Sequence, residues 1–270
     1  MSQDRRQQQG YQVAHVVCAV TLMVASLTAL SPQATAYRET LAGTTVSFEM
    51  VPVPGGTVTV GGTTHTVAPF FVGRTEVTWD LYDVFMLGLD GSSSSGGADA
   101  VARPSQPYGA PDYGWGHAGF PAISVARTGA EAFATWLSKK TGREYRLPTD
   151  IEWMHLSRLA VGADGEGRME SVAWHRGNAG GRTHAVATRT ADALGLFDLF
   201  GNAAEWVTSA DGALIVMGGS FKDAPTAVGP TARAIQDGTW NERDPQLPKS
   251  RWWLSDGPFV GFRLVTTRTP

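Results

Sequence analysis

Asp198 and Glu205 bracket a Gly201-Asn202 turn in the run GLFDLFGNAAEWV, residues 195 to 207. Two carboxylates so placed, with the carbonyl oxygens of the turn between them, make a set of hard oxygen donors of the kind a calcium ion takes. The same residues support a second chemistry. Asn202 followed three residues later by Glu205 is the pattern of a capping box, in which each side chain serves the other's free backbone N–H at the start of a helical turn. Residue types alone leave both readings open.

Other reactive side chains carry less. The six histidines stand at 15, 65, 117, 155, 175 and 184, and no two have the three- or four-residue spacing that aims a pair from one helix face at a metal. They read as core or loop histidines. Ser220 is followed by Phe221-Lys222 and so lacks the G-x-S-x-G frame of a nucleophile elbow; it reads as a strand-end residue. Arg146, Arg233 and Arg263 suit bidentate pairing with carboxylates ahead of lining a ligand cleft, and the Trp252-Trp253 pair near Asp256 suits plugging a core ahead of forming a sugar or peptide platform.

Composition bounds what such residues can serve. A 270-residue chain with 42% hydrophobic and 17% charged residues can bury one large core. A net charge of −3, with no basic cluster beyond Arg5-Arg6, leaves no footprint for nucleic acid or an anionic membrane. Arg5-Arg6, the apolar stretch 16 to 30 and Ala34-Thr35-Ala36 form an export signal, so residues 1–36 are expected to be a leader cleaved after Ala36. The product would be periplasmic or extracellular, and membrane-associated only if the leader is retained as an anchor. Cys18, the single cysteine, falls inside the leader, so the mature chain has no thiol and no disulfide. The 32 glycines and 9 tryptophans predict irregular loops pinned by large aromatic plugs.

The elements that must position these groups follow in chain order. Thr45 to Val53 alternates as a half-buried strand, and Thr57–Val60 and Thr63–Val67 flank Gly61-Gly62 as a hairpin. Thr78 is placed to cap a helix bearing Tyr82, Phe85 and Met86 on one face. A Gly/Ser/Pro-rich loop with SSSSGG at 92 to 97 runs to Phe120. Thr128-Gly129-Ala130-Glu131 and Thr149-Asp150-Ile151-Glu152 are both capping boxes, the first ahead of Phe133, Trp136 and Leu137, the second ahead of Trp153, Leu156 and Ala160. Strands are expected at Leu214–Met217 and Phe259–Val265. Strands and helices are interspersed without βαβ alternation, which predicts a loop-rich α+β fold with two to three helices.

These segments, in order, resemble the formylglycine-generating enzyme family, also called the sulfatase-modifying factor domain, whose fold is a variant of the C-type lectin fold. The stretches that carry the resemblance are EVTWDLYDVF at 76 to 85, PAISVARTGAEAFATWLSKKTGREYRLPTDIEWMHLSRL at 121 to 159, THAV at 183 to 186, GLFDLFGNAAEW at 195 to 206, GGSF at 218 to 221 and GFR at 261 to 263. The resemblance implies one such domain over residues 37–270.

It also carries expectations about chemistry. Oxidase members bind copper(I) through a cysteine pair after GGS, whereas this chain has Lys222-Asp223-Ala224-Pro225 there. Copper(I) takes soft thiolates, so copper and formylglycine generation are not expected. Ala204 stands where many relatives have tryptophan, and Val260 replaces a polar residue before GFR. The family's structural calcium site corresponds to the side chains of Asp198 and Glu205 and the carbonyls of Gly201 and Ala203, so calcium is the expected cofactor. A second family calcium site would begin at Asn178-Ala179, but Thr183 follows before its carboxylate-bearing loop, and that site is not expected. The residues the alignment puts at or near the cleft are Trp206, Ser220, Asp223 and Arg233. The resulting expectation is an exported binding or structural module presenting loops to a peptide, glycan or protein partner. The alternative is a cysteine-independent enzyme, as in the pyoverdine-maturation branch.

Overall fold

Gly61 and Gly62, at φ +57° and +81°, form the two-residue turn between strands β3 (Gly56–Val60) and β4 (Thr63–Val67), as the sequence predicts. The computed structural model describes residues 34–91, 104–105, 107, 109–162 and 168–267. The expected leader, as far as residue 33, and the SSSSGG stretch lie outside the described residues. No helix among the described residues is long and apolar enough to cross a membrane.

Two four-stranded sheets accompany the hairpin. One has the order β1 (Tyr37–Thr40), β2 (Ser47–Val53), β5 (Phe70–Gly73), β10 (Val265–Thr266), antiparallel throughout. The other runs β8 (Gly229–Ile235), β7 (Leu214–Gly218), β6 (Ala204–Thr208), β9 (Val260–Gly261), and its β6–β9 pair is parallel. The single strand expected over Phe259–Val265 is therefore two short ones in different sheets. Phe262, Arg263 and Leu264 lie at the crossover, all buried.

Among the described residues there are four α-helices, the last a single turn: α1 (Trp79–Leu87), α2 (Arg127–Thr141), α3 (Asp150–Val161) and α4 (Met169–Val172). The capping box of α3 forms as expected, with Glu152 N donating to Thr149 Oγ1 at 3.1 Å and Thr149 N to Glu152 Oε2 at 2.9 Å. The box expected at Thr128 does not form. α2 starts at Arg127 with Ala126 as an N-cap that makes no side-chain cap, and Glu131 instead accepts from Arg127 Nε at 2.8 Å. Tertiary contact overrides the local signal: Ala126 N donates to Trp252 O at 2.9 Å, and Gly129 sits so close to Tyr82, Val125 and Trp252 that a Cβ there would lie within 3.0 to 3.1 Å of them. Six of the nine tryptophans (79, 153, 206, 240, 252 and 253) are buried, which answers the predicted role of tryptophan as plug. Trp252 and Trp253 thus act as core residues.

Candidate functional site

The loop that leads into β6 curls through left-handed positions at Asp198 (φ +55°), Gly201 (φ +77°) and Asn202 (φ +52°). Glycine is required at 201, because a Cβ would lie 2.2 Å from the carbonyl oxygen of Trp174. The capping-box reading of Asn202 and Glu205 is overturned. Glu205 lies in an extended strand, and the Asn202 amide instead accepts from His184 N at 2.9 Å and donates to Glu76 Oε2 at 2.8 Å. Glu76 also accepts from Ala203 N at 2.8 Å. The sequence reading missed Glu76; its one signal was an acid set directly ahead of the apolar start of α1.

Three buried carboxylates, Glu76, Asp198 and Glu205, thus surround one buried guanidinium, Arg263. Arg263 Nε and Nη2 both meet Glu205 Oε1 at 2.8 Å, while Nη1 and Nη2 also donate to the carbonyls of Gly73 and Phe197. Trp153 Nε1 donates to Glu205 Oε2 at 3.3 Å. Burial pushes the Asp198 carboxyl up to about 6, against the pull of the Ala187 N–H and Arg263. Burial, then the charges of Asp198 and Glu205, pushes Glu76 well above the carboxylate range.

Does this node fit calcium? Its donors are hard oxygens, its carboxylates outnumber its one cation, and Asp198 Oδ1 is buried with no hydrogen-bond partner while Oδ2 accepts from Ala187 N at 2.7 Å. Among the described residues no group of three or more His, Cys, Asp and Glu side chains is arranged around a metal position, so backbone carbonyls have to complete any shell. Asp198 Oδ1 is the free side-chain donor, and a calcium ion would share Glu205 with Arg263 and Trp153. At Asn178-Ala179 the donors are spent: Asn178 Oδ1 accepts from His175 N, and the Ala179 carbonyl accepts from His184 Nε2.

Of the four residues expected at the cleft, only Ser220 and Asp223 meet. Asp223 Oδ2 accepts from both Ser220 N and Ser220 Oγ at 2.8 Å, and Ser220 is buried. Asp223 is a turn-closing carboxylate with no thiolate beside it, so the donor set does not fit copper(I). Trp206 is fully buried and donates to Val125 O at 2.9 Å, packed against Trp240. Arg233 is exposed on β8 and faces Asp150 at 3.9 Å. Burial in the strand interior removes the first from any cleft, and strand alternation turns the second toward the start of α3.

A cleft of about 280 Å³ lies elsewhere, between the loop at residues 109–113 and the 243–255 loop, with Pro107 also lining it. Pro107, Pro111, Tyr113, Pro245, Trp253 and Leu254 give it a mainly apolar lining, and Ser124 reaches it from the segment before α2. Sequence gave no sign of it beyond the loop composition.

These features match known proteins. Treponema denticola variable protein 1 superposes with a TM-score of 0.61 at 20% identity, covering 86% of this chain and 99% of that one. PvdO from Pseudomonas aeruginosa gives 0.59 at 24% identity, covering 82% and 94%, and CarF gives 0.57 at 22%, covering 82% and 99%. At such identities the likeness is one of fold. No curated protein sequence matches the chain. The sulfatase-modifying factor enzyme 1-like domain (FGE-sulfatase) matches residues 40–268, and the chain therefore belongs to that family.

Proposed function

We propose that this member of the family is an exported binding module that engages a peptide, glycan or protein partner through its loops and does not oxidise thiols with copper. The observation that carries this reading is Asp223. Where the oxidases of the family supply a copper-binding cysteine, this chain folds a carboxylate back onto Ser220 N and Oγ, and the mature chain has no thiol to offer. The open cleft is built from two loops well apart from that turn in sequence, which supports recognition by loops on a rigid scaffold.

Calcium is proposed as the structural ion of the 198–205 loop. Asp198 and Glu205, with the carbonyls of Gly201 and Ala203, would hold it, and its charge would offset the surplus of buried carboxylates. Its chemistry there is electrostatic and structural.

The test incubates the protein lacking residues 1–36 with copper(I), dioxygen and a cysteine-containing peptide. No aldehyde in the peptide is expected. Turnover of the cysteine would overturn the reading in favour of an enzyme of cysteine-independent mechanism.

A further inference from the structure

We propose that the loop at residues 174–191 is a docking surface of this module and that its partner presents an acidic peptide segment. This rests on the binding-module reading and names the partner class for it.

Charge carries the inference. Between Ser171 and Ala191 stand three arginines, Arg176, Arg182 and Arg189, and no aspartate or glutamate, in a chain whose net charge is −3. The tertiary structure gathers them around one stack of side chains. His184 lies on the Trp174 ring with centroids 3.7 Å and planes 11° apart, and the Arg189 guanidinium lies 3.8 Å from the centroid of that ring. Arg176 stands two residues from Trp174 and Arg182 two residues from His184, so their Cα atoms lie within about 8 Å of those of the stack. His184 Nε2 meets the Ala179 carbonyl at 2.8 Å, which folds the stretch between the two arginines back on itself. Within that stretch Gly180 and Gly181, at φ +62° and +78°, have no atom within 4 Å of where a Cβ would stand, so the backbone is open to an approaching chain.

The acids nearest the loop are engaged elsewhere. Glu170 accepts from His175 Nε2 at 2.9 Å and Asn178 Nδ2 at 3.4 Å, and Asp223, whose carbonyl accepts from Arg176 N, closes its carboxylate on Ser220. Among the described residues the Arg176 and Arg182 side chains are exposed and have no ion-pair or hydrogen-bond partner. Arg189 shares its charge with Asp198 and Glu170, yet its Nε is buried and unpartnered. Guanidinium groups match carboxylates through paired N–H donors, so the chemistry offered is recognition of carboxylates. A sugar would need an open aromatic face, and the Trp174 ring is already taken up by His184 and Arg189. A peptide with a few carboxylates complements this local patch, whereas the chain's overall negative charge repels a long polyanion.

The experiment follows fluorescein-labelled octaglutamate by anisotropy as it is titrated with protein purified from cells expressing the full-length chain, with octaglutamine and a heparin-derived hexasaccharide for comparison. Octaglutamate is expected to bind and octaglutamine not, and the binding is expected to weaken as salt is raised through about 0.15 M, where the Debye length is about 8 Å. Arg176→Glu combined with Arg182→Glu is expected to weaken octaglutamate about tenfold. Arg158→Glu combined with Lys139→Glu makes the same change in net charge at exposed positions on α3 and α2 and is expected to leave the affinity unchanged. Arg182→Gln alone, expected to weaken binding about threefold, keeps the test open if the double reversal does not fold. Absence of octaglutamate binding, or an equal loss in the Arg158 and Lys139 pair, would overturn the proposal. Tighter binding of the hexasaccharide than of octaglutamate would overturn it in favour of a glycan. The copper test reads the other claim separately: no aldehyde together with no peptide binding removes this docking surface alone, whereas turnover of the cysteine removes the binding-module reading whatever the anisotropy shows.

Discussion

Arg263 and Glu205 are both fully buried and meet through two N–H groups on a single carboxylate oxygen at 2.8 Å. Removing the cation alone leaves the buried carboxylate beside two other buried acids, with the Trp153 Nε1–H as its remaining donor. Arg263→Met is expected to destabilise the fold by about 3–5 kcal/mol, measured by urea unfolding. Glu205→Gln in the same chain is expected to recover a substantial part of that loss; no recovery would show that Arg263 acts through its bonds to Gly73 and Phe197 instead.

Calcium at the neighbouring loop would stabilise the folded chain by mass action, about 2.7 kcal/mol at a hundredfold excess over its dissociation constant. EGTA is expected to lower the melting temperature, and Asp198→Ala to remove that response. An identical melting curve with and without chelator, together with no calcium by elemental analysis, would dismiss the ion.

His117 links α1 to the loop that walls the cleft. Its Nε2 meets Asp83 at 2.7 Å and its Nδ1 meets Asp112 at 2.9 Å, so both ring nitrogens face carboxylates, and the ring stacks on Trp79. Burial alone would lower its affinity for the proton, but Asp83 and Asp112 outweigh that and raise it above the ordinary histidine value. A raised folded value means that the contribution is fully present below the unfolded value, about 6.5, and is lost as pH rises through the folded one. Asp112 is held below the usual carboxylate range: burial alone would raise it, and the Gly114 N–H and His117 lower it, so its share is lost as pH falls through that depressed value. The imidazole resonances are expected to titrate above 6.5. His117→Gln is expected to flatten the dependence of melting temperature on pH above 6.5; an unchanged slope would remove His117 as its source.

Gly201→Ala places a Cβ 2.2 Å from Trp174 O at a left-handed φ of +77°. The clash is with backbone, which cannot swing aside, so a loss of about 2–4 kcal/mol is expected in chemical unfolding. Gly212→Ala, at the same φ with no atom within 4 Å, isolates the conformational share and is expected to cost about 1 kcal/mol.

Local chemistry was legible in the chain. The Gly61-Gly62 hairpin, the α3 capping box, the left-handed Gly142 at the end of α2 and the missing cysteine pair all depend on residues a few positions apart, and so did the motifs that carried the family resemblance. What the tertiary structure decided lay across long separations. Glu76 reaches Asn202 and Ala203 over 126 and 127 positions, and Glu205 finds Arg263 over 58. Trp252 sets the start of α2 in place of a local box, and two loops far apart in sequence wall one cleft. Sequence pattern fixes which backbone bonds form nearby. Burial decides which side chains lose water and must find a partner elsewhere, and that is settled only when the whole chain packs.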